Sequence, residues 1–255
     1  GFDEAVRAAQ MSDAVVVFLG EESILSGETH SRSDINLPGN QHQLMAAQRQ
    51  AGKPRIAVIL AGRPLTLANI VDKVDALLFA WHPGTMGGPA IADVLFGVES
   101  PSGKLPATFP LMVGQVPIYY AHKNTGRPAT PEKFTHIDDI PARMPQSSWG
   151  FASFHLDAGY EPLYEFGHGL SYTKFVYSDI EVSASEIALD ETVTVTAAVH
   201  NEGTMEADEV VQLYVRDLVG NVTRPVKELK GFQRIRLKPG ERRKVSFELS
   251  PDDLA

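Results

Sequence analysis

The stretch that decides the fold is Ala14-Val15-Val16-Val17-Phe18-Leu19, followed at once by Gly20-Glu21 and then by Ser26-Gly27-Glu28-Thr29-His30-Ser31-Arg32-Ser33-Asp34. An unbroken apolar run of this length reads as a buried β-strand. A polar loop leaving the carboxyl end of such a strand is where α/β proteins usually place their chemistry. Within the segment 26–34, Glu28 is the side chain that reads as a catalytic carboxyl. A lone carboxyl is half of the pair that acid/base hydrolysis normally uses. The loop therefore reads as half an active site, with the partner expected on sequence that is absent here.

The same rhythm extends outward over residues 1 to about 110. Pro38 and Gly39 introduce a helical stretch at 41–50, and Gly52-Lys53-Pro54 ends it. Ile56-Ala57-Val58-Ile59-Leu60 is a second expected strand, and Ala76-Leu77-Leu78-Phe79-Ala80-Trp81 a third. After Gly87-Gly88, residues 90–95 read as a short helix. Continuous apolar strands separated by helices favour a parallel sheet covered on both faces. The first ten residues carry Asp3 and Glu4 and read as an amphipathic helix, not a signal peptide. The chain is accordingly expected to begin inside a domain.

From about 103 to 171 the rhythm disappears, and prolines including Pro106, Pro110, Pro117, Pro128, Pro131, Pro141, Pro145 and Pro162 accumulate. So long an irregular stretch is unusual in a compact domain. Its aromatics, Tyr119, Tyr120, Phe151, Phe154, Tyr160, Tyr164 and Phe166, are uncharacteristic of a floppy linker. An extended segment wrapped over a domain surface accounts for both. Beyond 172 the period becomes two. Val193, Val195, Ala197 and Val199 alternate with Thr192, Thr194, Thr196 and Ala198, and Val211/Leu213/Val215 and Val245/Phe247/Leu249 repeat the pattern. Asn201-Glu202-Gly203 and Lys238-Pro239-Gly240 supply turns. An antiparallel sandwich is expected, truncated at its end, because only four or five strands are visible.

Bulk properties narrow the function. The chain has 255 residues, 43% of them hydrophobic, with a formal net charge of -9. This acidity argues against a nucleic-acid surface, which relies on clustered Lys and Arg. There is no cysteine, so disulfides and thiolate chemistry are excluded. No apolar run reaches the 18 or so residues of a membrane span. The histidines, among them His30, His82, His122, His136, His155 and His168, show neither HExxH nor close metal-ligand spacing, and no catalytic metal is expected. Gly84, Gly87 and Gly88 lack the phosphate-loop pattern, and Ser102 is not in a GxSxG elbow. No cofactor is expected.

Several motifs occur together in order: Gly20-Glu21 with Ser26-Gly27-Glu28; Trp81-His82-Pro83-Gly84 with Gly87-Gly88; Pro101-Ser102-Gly103-Lys104-Leu105-Pro106; Tyr164-Glu165-Phe166-Gly167-His168-Gly169-Leu170-Ser171-Tyr172; and Arg224-Pro225-Val226-Lys227-Glu228-Leu229-Lys230-Gly231-Phe232. With them the chain resembles the carboxyl-terminal half of family 3 glycoside hydrolases, especially bacterial periplasmic β-glucosidases. The resemblance implies α/β plus all-β architecture. Residues 1–110 would be a partial α/β sandwich domain carrying the acid/base loop, and 111–171 a Pro/Gly/aromatic segment wrapped on it. Residues 172–255 would be a fibronectin type III-like domain. It also implies an amino-terminal (β/α)₈ barrel, absent here, that bears an aspartate nucleophile and most of the groups that grip the terminal sugar.

On this resemblance Glu28 is the general acid/base of a retaining exo-acting β-glucosidase acting on terminal β-D-glucosyl residues of β-glucosides or short oligosaccharides. A retaining enzyme needs its two carboxyls roughly 5–5.5 Å apart. The barrel would be present in cis or as a separate chain, the parent protein periplasmic or secreted, with a homodimer of the parent as one option. The isolated chain is expected to be inactive. Alternatives are a β-xylosidase or other family β-glycosidase, or a non-catalytic structural or carbohydrate-binding fragment. Among the neighbours, Glu21 and Glu22 are rivals for the acid, but Glu21 is expected to anchor the loop through hydrogen bonds and Glu22 to be solvated. Arg32 and Asp34 are expected to form an ion pair, a reading placed ahead of Asp34 as another acid candidate. His30 is read as a tuning group for Glu28, as a contact for sugar hydroxyls, or as an exposed loop residue. Trp81 and His82 end the third strand on the same edge, with Trp81 read as core before sugar contact. Asn124-Thr125-Gly126-Arg127 is either an outer-subsite lining or a structural turn.

Overall fold

The computed structural model describes residues 1–124, 126–146, 152–188 and 190–254; Thr125 and Phe151 lie outside these described residues. The chain divides into two compact units. One comprises Gly1–Ile91, Ala107–Ile118 and Ala129–Glu165, the other Ala92–Pro106, Tyr119–Pro128 and Phe166–Ala255.

The first unit is built on a parallel sheet. Helix α1 (Phe2–Gln10) leads into β1 (Val15–Gly20), followed by α2 (Gln41–Gln48) and β2 (Arg55–Leu60). The short α3 (Ala68–Val71) and β3 (Ala76–Phe79) follow, then α4 (Gly87–Leu95), which belongs to this unit only as far as Ile91 and begins earlier than the sequence pattern implies. The sheet order is β1-β2-β3, with Val16 opposite Ile56 and Ile56 opposite Ala76. Both pairings are parallel, so all three strands deliver their carboxyl ends to one edge. The expectation of cover on both faces holds for β2, whose Ala57, Val58 and Ile59 are completely buried. It fails for the edge strand β1. There the period-two pleat puts Val16 and Phe18 on one face, and Phe18 is 56% exposed.

The irregular segment contributes to this core without forming long elements. Phe109 is bridged to Tyr164, and its ring lies 4.9 Å from that of Phe79. Gln115, itself buried, accepts hydrogen bonds from Leu111 N at 2.7 Å and Met112 N. Its amide nitrogen donates to the carbonyls of Ala158 at 3.2 Å and Glu161 at 3.0 Å. One amide thus satisfies backbone groups that have no ladder to join.

The second unit is an antiparallel sandwich of β4 (Phe175–Val182), β5 (Val193–Asn201), β6 (Ala207–Val215), β7 (Glu228–Leu237) and β8 (Arg242–Leu249), followed by the short α5 (Pro251–Leu254). One sheet has the order β4-β5-β8 and the other pairs β6 with β7. Val199, Val211, Ile235, Leu237 and Val245 form the core between them, with Phe175, Ala197 and Phe247 packed alongside. Asn201, fully buried, closes the turn after β5: it donates to Met205 O and Leu237 O and accepts from Thr173 Oγ1 and Gly203 N. The Pro101–Pro106 motif is tied to the sandwich by Lys104. Its ammonium lies 3.3 Å from the buried Glu209 carboxylate on β6 and donates to Gly169 O at 2.9 Å. Tyr177 on β4 donates to the other oxygen of Glu209 at 2.8 Å.

Leu237 is completely buried at the centre of this core. Leu237→Ala should therefore lower unfolding free energy by about 2–5 kcal/mol, measurable as a drop in the urea midpoint. Desolvation first, and then the bond to Glu209, hold the Tyr177 hydroxyl well above the ordinary tyrosine range. Above pH about 10 the unfolded chain gives up this proton while the folded one retains it. Stability should then fall as pH rises past about 10, and unfolding curves at increasing alkalinity should show a shallower fall for Tyr177→Phe.

Candidate active site

The site begins where β1 ends. Gly20 has φ 143°, and a Cβ there would come within 1.8 Å of the Leu60 carbonyl oxygen, so only glycine lets β1 and β2 close at this point. Gln41 at the start of α2 holds the Gly20 peptide from both sides. Its Oε1 accepts from Gly20 N and its Nε2 donates to Gly20 O, each at 2.7 Å. With the strand end fixed, the next side chain, Glu21, turns into the protein, and its carboxylate is 0% exposed.

That buried carboxylate is met by two guanidinium groups. Arg32 Nη1 donates to Oε1 at 2.5 Å, and Arg63 Nε donates to Oε2 at 3.1 Å. Both arginines also reach backbone carbonyls: Arg32 Nη2 donates to Asn36 O at 3.1 Å, and Arg63 Nη2 donates to Leu25 O and, at 3.1 Å, to His30 O. The role expected of Glu21 as loop anchor is what the structure displays, and Glu22 is exposed as anticipated. The Arg32–Asp34 ion pair does not form. Arg32 goes to Glu21, because a carboxylate removed from water needs a counter-charge far more than an exposed aspartate does. Asp34 Oδ1 instead accepts from Asn36 N at 2.9 Å and Asn36 Nδ2 at 2.7 Å.

Glu28 rides on the turn that this network frames. A 3₁₀ turn, Ser23–Leu25, is followed by a tight turn in which His30 N donates to Gly27 O at 3.1 Å. Thr29 has φ 67°, the left-handed region that a β-branched residue seldom enters. Glu28 is exposed, and its carboxylate has no hydrogen-bond partner among the described residues. His30 is exposed beside it.

The loops after all three strands converge here. A Cβ added to Gly62, after β2, would lie 2.3 Å from Ser26 Oγ and 2.6 Å from His82 Nε2, so the Glu28 loop and the end of the β3 connection meet at this glycine. Trp81 is half-buried, with φ 52°, and its ring centroid lies 4.7 Å from Phe79 and 5.9 Å from Phe109. It belongs to an aromatic cluster of the first unit. Asn124 and Arg127 are exposed, and Asn124 Oδ1 accepts from Gly126 N at 3.2 Å as a turn residue does. Among the described residues no group of three His, Asp or Glu side chains is placed to hold a metal ion, and no helix is long and apolar enough to cross a membrane.

Arg63 is the residue that sequence reasoning passed over. The available signal was a cation in Ala61-Gly62-Arg63-Pro64, directly after a strand ending on the same edge as the Glu28 loop. Removing the shared carboxylate would leave two guanidinium groups without their counter-charge. Glu21→Ala should cost roughly 3–5 kcal/mol of stability, against less than about 0.5 kcal/mol for the exposed Glu22→Ala. Parallel urea titrations would separate the two.

Residues 1–172 match the glycosyl hydrolase family 3 C-terminal domain, and residues 209–255 match the fibronectin type III-like domain. A periplasmic beta-glucosidase of Salmonella typhimurium is 45% identical over 252 residues, covering 99% of this chain and 31% of that protein. A beta-xylosidase of Formosa agariphila is 40% identical over 254 residues, covering 100% of this chain and 32% of that protein. The crystal structure of a beta-glucosidase from Listeria innocua in complex with glucose superposes with a TM-score of 0.88 at 37% identity, covering 99% of this chain and 33% of that one. The chain thus spans about a third of the length of the relatives it matches. With its sequence motifs, its parallel sheet and its antiparallel sandwich all in agreement, the chain belongs to glycosyl hydrolase family 3.

Proposed function

We propose that this chain is the carboxyl-terminal part of a retaining, exo-acting β-glucosidase and that Glu28 is its general acid/base. The observation that carries this reading is the placement of Glu28: an exposed carboxylate on a turn framed by Arg63, at the sheet edge where all three strands end. In the first step a nucleophilic carboxylate attacks the anomeric carbon while Glu28 gives its proton to the departing glycosidic oxygen. In the second, Glu28 takes a proton from water as that water displaces the enzyme carboxylate. The nucleophile, an aspartate, would come from a (β/α)₈ barrel preceding this region in cis or supplied as another chain, roughly 5–5.5 Å from Glu28. This chain alone would then not turn over substrate.

Substrates would be β-glucosides or short β-linked oligosaccharides. A β-xylosidase is the second reading, favoured by the 40% identity to the Formosa agariphila enzyme. A homodimer of the whole protein also belongs to the proposal. A periplasmic or secreted location is proposed from the periplasmic Salmonella typhimurium relative.

The test is Glu28→Ala in the full-length enzyme, assayed on an aryl β-glucoside with an activated leaving group. Turnover should fall by about 10²–10⁴-fold, and azide, which needs no general base, should restore it with formation of the β-glucosyl azide. Turnover within a few-fold of the parent, or no azide product, would overturn the assignment of Glu28 and leave Asp34, Glu21 and Glu22 as the candidate acids. Side-by-side rates on aryl β-glucoside and aryl β-xyloside decide between the two sugars.

A further inference from the structure

Arg63 stands outside the segment that carries Glu28, yet it contacts both sides of it. Its Nη2 nitrogen has two protons, and they go to Leu25 O and His30 O, the carbonyls flanking residues 26–29. The same guanidinium is fixed in orientation by Nε donating to the buried Glu21 carboxylate at 3.1 Å, and its side chain is only 19% exposed. Glu21 is held from the other side by Arg32, which in turn donates to Asn36 O beyond the loop. The turn between these fixed points contains Thr29 in a left-handed conformation, φ 67°, a geometry that persists only where surrounding contacts over-determine it. Glu28 has no side-chain partner of its own among the described residues, so its location is inherited from the backbone of this turn.

We propose that Arg63, oriented by Glu21, is a positioning residue that sets where Glu28 presents its proton. The inference rests on the reading of Glu28 as general acid/base. Its physical basis is the planar fork of arginine, which can bond a carboxylate and two backbone carbonyls in one fixed geometry; a lysine ammonium supplies the charge without that geometry. Displacement of a proton donor by about 1 Å can cost on the order of 10²-fold in rate. Loss of the fork should therefore damage the proton-transfer step selectively.

The experiment uses the full-length enzyme and compares kcat/KM for two substrates, cellobiose, whose leaving sugar needs protonation, and 2,4-dinitrophenyl β-glucoside, whose leaving group does not. Arg63→Met and Arg63→Lys are each made alone and in the Glu28→Ala background. The ratio of the two kcat/KM values within one sample is insensitive to the fraction of enzyme folded. Arg63→Met is expected to lower that ratio by about 10- to 100-fold, Arg63→Lys to lower it also despite keeping the charge, and neither to lower it further once Glu28 is alanine. An unchanged ratio in Arg63→Met, or an equal further loss in the Glu28→Ala background, overturns the positioning role. If Glu28→Ala itself leaves the ratio unchanged, the assignment of Glu28 falls and the role of Arg63 with it. A normal Glu28→Ala response with an unchanged Arg63 ratio defeats the role of Arg63 alone.

Discussion

The Glu28 loop depends on one carboxylate that has been taken out of water. Glu21 is held inside the first unit with no solvent contact for its side chain, at a point where β1 has just ended and the chain must leave the sheet. An isolated carboxylate there would be far too costly. Two guanidinium groups at 2.5 and 3.1 Å make the burial tolerable. Such a group is weak evidence for net stability, since an apolar cluster of the same volume could be as stable. What it supplies is direction. Each arginine, once fixed on Glu21, has donors left over, and those donors select particular backbone carbonyls of the loop.

The sheet imposes the geometry that this network then uses. Parallel pairing of β1 with β2 and β2 with β3 means that the three following loops leave from one edge. Loops leaving a common edge would collide unless some positions gave up their side chains, and here an added Cβ would meet backbone at one glycine and side chains at another. At Gly20 the obstacle is the Leu60 carbonyl, while at Gly62 it is Ser26 and His82. Gln41 completes the arrangement by bonding both the N–H and the C=O of Gly20, the last residue of the β1–β2 ladder. Propensity for strand or loop has little to do with these choices. They follow from the need to bring three loops together without leaving polar backbone unpaired.

Much of this was legible in the amino-acid sequence, and what was illegible has a common cause. The apolar runs of β1, β2 and β3 and the alternation in β5 and β8 are local signals, repeated within a few residues, and the structure places strands there. β4 is harder to read because Asp179, at φ 50°, lies where the register with β5 shifts between Ser178 and Glu181. β7 mixes charged residues with Gly231 and so lacks a clean period. Glu21 could be recognised as an anchor because it follows its strand directly. Its partners could not: Arg32 looked equally suited to Asp34 two positions on, and Arg63 is 42 positions away along the chain. Ion pairing is decided by burial, which sequence spacing does not encode.

The second unit treats buried charge in a different way. Glu209 sits on β6 with Lys104 on one oxygen and Tyr177 on the other, so one of its two partners is neutral. The pair of bonds joins two stretches far apart in the chain, the Pro101–Pro106 motif and β4, to the same strand. Neither leaves a multi-donor fork pointed at a tight turn, as Arg63 does. Lys104 also has a donor to spare, and it goes to Gly169 O, which extends the attachment; the planar fork of Arg63 instead bonds both carbonyls that flank one tight turn. Arg63 directs its Nη2 protons to Leu25 and His30, on either side of Glu28, whereas Lys104 and Tyr177 tie the Pro101–Pro106 motif and β4 to β6.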